Sequence, residues 1–60
     1  MHTVGAVVDT LMLNLMPRIK EDALSKPFTP ERSAIIDQID FVTDRMKEGM
    51  TFAAAVAALQ

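Results

Sequence analysis

Apolar residues recur at helical spacing in three separate stretches of this chain. In the first, Val4, Val8, Leu11 and Leu15 stand four, three and four apart, and a second row of Val8, Met12, Leu15 and Ile19 lies beside it. The two rows make one wide stripe and predict a helix from about Val4 to Leu24. Thr3 can cap its start, and Gly5 falls in the first turn, where the helix penalty of glycine matters least. Leu13 and Met16 stand off the stripe, so the run from Leu11 to Met16 is apolar on nearly every side except at Asn14. A helix apolar all round must be covered all round. Two other short helices of the same chain give too little cover, whereas a second chain gives enough.

Pro17 interrupts this pattern, because proline removes the bond to the carbonyl of Leu13 and bends or breaks a helix. Pro17 also suits the first position of a new short helix running to Ser25. Ile19 and Leu24 carry an apolar side past the proline, which favours one helix bent near Pro17. Arg18, Lys20 and Lys26 then stand near its C-terminal end, where cations suit the dipole.

Lys26-Pro27-Phe28-Thr29-Pro30-Glu31 marks the clearest boundary, since two prolines three apart prevent a continuous helix. Thr29, Pro30 and Glu31 together are a helix start: a capping hydroxyl, a proline at the first position and an acid in the first turn. The second helix is predicted from about 30 to 48. Its stripe is Ile35, Ile39, Val42 and Met46, widened by Ile36 and Phe41. The spacing is heptad-like over fewer than two heptads, too short to imply a long coiled coil. Gly49 follows Arg45 and Lys47 as a C-terminal stop. Thr51 opens a third helix, from about 52 to 59, with Met50 placed to fold over Ala55 as a staple. Phe52, Val56 and Leu59 share one side of it, with alanines around the rest. Eight residues do not hold a helix in water unaided, so this one must dock.

The fold class implied is all-α: a small helical hairpin plus a short C-terminal helix in one domain. Sixty residues bury only about 60% of the surface that the unfolded chain exposes. Small domains usually add disulfides, a structural metal or a second subunit. With no cysteine in the chain, disulfides and thiolate zinc sites are excluded, and the single histidine, His2, has no second ligand in sight. Half the residues are hydrophobic, more than a chain of this size can hide. A packed or intertwined homodimer is the expected remedy.

Charge narrows the function classes further. The formal net charge is −2 and no basic face is evident, so direct nucleic-acid binding is not expected. The apolar stretch from Val4 to Met16 is broken by polar residues and falls short of the ~20 residues of a membrane span. It also lacks the basic leader of a secretory signal. A cytoplasmic protein is the expectation.

Asp37, Asp40, Asp44 and Glu48 form an acidic row on helix two. Carboxylate metal sites in helical bundles need acids from several helices and usually histidines. The row therefore reads as a solvated face, with a docking surface for a basic partner as the sharper possibility. Met12, Met16, Met46 and Met50 read as core or interface, with an adaptable binding surface as the alternative. Asn14 is either exposed or a buried register pin of a dimer. The segment from Met50 to Leu59 resembles the first helix of a helix-turn-helix unit, with its capping threonine and small residues. The sequence stops at Gln60, where the turn and recognition helix would follow. No catalytic, cofactor-binding or metal-ligating residue is assigned.

The expected activity is that of a small protein-binding regulator or inhibitor of bacterial or phage type, acting through helix-mediated contacts. Its interface is expected among Val8, Leu11, Met12, Leu13, Leu15, Met16 and Ile19, with Ile35, Ile39, Val42, Met46, Phe52, Val56 and Leu59. The expected partners are a second copy and another protein of unspecified identity. One alternative is the oligomerisation part of a transcriptional regulator or an antitoxin-like protein, in which a dimer gathers Arg18, Lys20, Lys26 and Arg32. Another is a helical subunit of a larger complex.

Overall fold

The computed structural model describes residues 3–59, so His2 lies outside the described residues. The chain is all-α, with three helices and no strand among the described residues: α1 (Val4–Leu24), α2 (Pro30–Lys47) and α3 (Phe52–Ala57). Each helix begins on a threonine in extended conformation whose hydroxyl accepts from the amide three residues on. Thr3 accepts from Ala6, Thr29 from Arg32 and Thr51 from Ala54, each at 3.1 Å. Each cap satisfies one of the four amides that a helix start leaves without a partner.

α1 runs unbroken through Pro17. The proline lacks the amide that would bond Leu13, yet the turns on either side hold the helix together. It closes on Ser25, whose amide bonds the carbonyls of Glu21 and Asp22 and whose hydroxyl donates to Asp22 at 2.7 Å. The connection to α2 is braced by Arg32, whose guanidinium donates to the Pro27 carbonyl at 2.7 Å.

α2 ends one residue before the expected boundary, with Glu48 as its cap. Gly49 follows at φ 109°, a region that L side chains rarely enter. Its amide bonds the Met46 carbonyl and the Met50 amide reaches back to Arg45, both at 3.0 Å, which closes a Schellman stop. α3 stops at Ala57, two residues short of the expected end, with Ala58 as its cap.

The core is small: Met16 from α1, Val42 and Met46 from α2, and Ala55 from α3. Met12, Leu13, Ile39, Phe41 and Phe52 pack around it half-buried. The Thr43 hydroxyl donates weakly to the Met16 sulfur at 3.7 Å. Ala55 is fully buried, so the absence of a larger side chain is what lets α3 lie close against the other two helices. The molecule measures 43 × 22 × 15 Å, with a radius of gyration of 12.4 Å. A compact domain of this length has a radius of gyration near 10 Å. The excess reflects a long α1, only part of which is covered by the other two helices.

Candidate protein-interaction site

Two polar ties set the rotation of α1. The Lys20 ammonium donates to the Asp40 carboxylate at 2.6 Å, which joins α1 to α2. At the other end, the Asp9 carboxylate accepts from the backbone amide of Phe52 at 3.0 Å. That bond engages the first amide of α3, two residues before the Ala54 amide that Thr51 takes. Asp9, Met16 and Lys20 are seven and four residues apart, so they share one face of α1. This face turns inward.

The stripe of Val4, Val8, Leu11, Leu15 and Ile19 therefore turns outward. Leu11 is 54% exposed, Leu15 43% and Ile19 47%. The spacing of four, three, four and four makes them one continuous row along most of α1. Beside the row lies a groove of about 250 Å³ between the three helices, lined by Met12, Met16, Ile19, Ile35, Gln38, Ile39, Val42, Phe52, Val56 and Leu59. Gln38 is the one polar residue in that lining. Ile35, Val56 and Leu59 are exposed at its rim. Row and groove meet at Ile19 and form one apolar face.

Nine of the fourteen residues expected at an interface line this groove, and Leu11 and Leu15 extend it along α1. Val8 stands in the N-terminal part of the row, beside a second hollow that it lines with Asp9 and Phe52. Met46 and Leu13 are placed differently. Met46 is buried in the core, and Leu13 packs half-buried against it. Met16 and Val42 are also buried, so they floor the groove rather than project from it. Asn14 is exposed on α1, off the apolar row.

The acidic row divides. Asp37, Asp44 and Glu48 are exposed, whereas Asp40 is half-buried and bound to Lys20. Glu48 pairs with Arg45 at 2.7 Å, and the Arg45 guanidinium lies 5.3 Å from the centre of the Phe41 ring. No group of histidine and acidic side chains spaced to hold a metal occurs among the described residues. The cations offered for a basic surface are largely engaged: Lys20 with Asp40, Lys26 with Asp22 at 3.1 Å, and Arg32 with the Pro27 carbonyl. Lys20 thus ties two helices together instead of complementing the C-terminal end of α1. No described helix is long and apolar enough to cross a membrane.

Asp9 is the residue that sequence reasoning missed. Its signal was a lone carboxylate inside an apolar stretch, on the same face as Met16. An acid so placed suits the amide-rich start of a neighbouring helix. Compared with family models, curated proteins and solved structures, the chain matches none.

Proposed function

We propose that this chain is a small protein-binding regulator or inhibitor, which acts by laying its apolar face against another protein rather than by catalysis. The observation that carries this reading is the outward row of α1. A monomer with four buried residues leaves eleven large apolar side chains exposed among those described, five of them on one helix face. Contiguous apolar exposure of this kind marks an interaction site. An amphipathic helix presenting anchors at i, i+3, i+4 and i+7 is a recurrent mode of protein recognition, with the anchors entering a partner's groove.

The test is site-specific photo-crosslinking in cells that produce the chain. A photoreactive residue at Leu15 should yield covalent adducts with a distinct protein. The same residue at Asp37, which is exposed and off the apolar stripe of α2, should yield few. Equal labelling from both positions, or self-adducts alone from Leu15, would contradict the reading.

A further inference from the structure

Resting on that reading of the α1 face, we infer that its resident occupant is a second copy of this chain, paired antiparallel along α1 about a two-fold axis between Leu11 and Met12. Area is the first argument. The row on α1 and the rim of the adjoining groove together leave eight large apolar side chains 37–81% exposed, a contiguous patch rather than scattered surface residues. A standard interface buries about 800 Å² per partner, its apolar centre ringed by a polar rim. The open shape of the molecule, with its radius of gyration of 12.4 Å, fits a core that is completed from outside.

Symmetry and charge then choose the direction. A two-fold contact places one patch against itself. The row runs from Val4 to Ile19, and its midpoint falls between Leu11 and Met12. Antiparallel pairing about that point sets Val4 opposite the partner's Ile19, Val8 opposite the partner's Leu15, and Leu11 beside its own symmetry mate. Every position of the row then meets an apolar residue. The charges at the margins of this face are Arg18 and Asp22, both near its C-terminal end and both exposed, with Asp22 already paired to Lys26. Parallel pairing would set each against its own like charge, whereas antiparallel pairing separates the two Arg18 guanidinia by about 20 Å along the helix. Opposed helix dipoles favour the same choice. Because the pair covers the row that a target would use, self-association and target binding exclude one another. Dissociated monomer is the active form.

The experiment exploits the lack of native cysteine. Val8→Cys and Leu15→Cys chains are made separately, then oxidised alone and as a mixture. The mixture should give a disulfide-linked heterodimer at least tenfold above either self-linked product. Dominant links between like positions would overturn the antiparallel arrangement. A lack of links in every sample, with helical spectra intact, would overturn the self-pairing itself. The docking reading would still stand in that case if photo-crosslinking from Leu15 captures a distinct protein, so the two claims fail separately. If either cysteine variant loses its helical spectrum, sedimentation of the unaltered chain decides. Twice the 6.6 kDa chain mass supports the pairing, and a single chain mass overturns it.

Discussion

Leu11→Glu is expected to leave the helices formed and to weaken self-association at least a hundredfold. Leu11 is 54% exposed in the single chain, and a surface substitution of this kind usually shifts stability by no more than about 0.5 kcal/mol. In the proposed dimer the effect is magnified, because a two-fold contact counts every change twice. About half of Leu11 is already covered in the single chain, so pairing gains about 1 kcal/mol per leucine and two lost leucines remove roughly 2 kcal/mol. At about 1.4 kcal/mol per decade, that is a little over one order of magnitude in dissociation constant. The two new carboxylates, brought face to face at a buried contact, supply the rest of the hundredfold. Far-UV circular dichroism should match the wild-type helix content at high concentration, while sedimentation shows a single chain mass. A Leu11→Glu chain that remains dimeric would place the interface elsewhere.

Met16→Ala should act in the opposite way, on the fold itself. Met16 is 4% exposed and touches the core that all three helices share. Truncating a buried methionine to alanine costs about 2–5 kcal/mol, with the lower end expected where surrounding groups can collapse. A chain this short has a total stability on the order of 3–9 kcal/mol. The substitution therefore removes a large share of it and lowers the thermal midpoint by roughly 10–20 °C. Thermal melts followed at 222 nm would read this directly. A shift of only a degree or two would mean that the four buried residues are not the centre of the fold.

These two leucine and methionine sites lie only five residues apart in sequence. Their different fates show how much of the molecule is legible from residues alone. The helix starts are legible because they rest on local chemistry: Thr3, Thr29 and Thr51 each cap the amide three residues on. The stop at Gly49 is legible for the same reason, since few other residues tolerate its φ. Rotation of α1 about its axis is a different matter. The run from Leu11 to Met16 is apolar almost all round, so periodicity does not say which side faces inward. The two polar ties that set it, Lys20 to Asp40 and Asp9 to Phe52, join residues 20 and 43 positions apart. Nothing in the spacing of apolar residues announces such pairs.

The same reasoning separates floor from rim in the candidate site. Ile35, Ile39, Val42 and Met46 form one stripe in sequence, yet Val42 and Met46 are buried while Ile35 is exposed. The stripe is longer than the part of α2 that α3 covers. α3 itself is only six residues long, too short to persist unaided. It is held by the buried Ala55 and by the carboxylate of Asp9. How much of α2 is hidden depends on how both α1 and α3 pack against it rather than on propensity.

On the proposed pairing, a second copy covers the outward row of α1 and adds to the stability of the folded chain. Thermal unfolding of the unaltered protein at two concentrations a hundredfold apart tests it most directly. Association that favours the folded state raises the midpoint with concentration, by roughly 10 °C across that range. That rise is expected for the unaltered chain and should disappear in the Leu11→Glu chain. An identical midpoint at both concentrations, in a folded chain sedimenting at 6.6 kDa, would contradict the pairing.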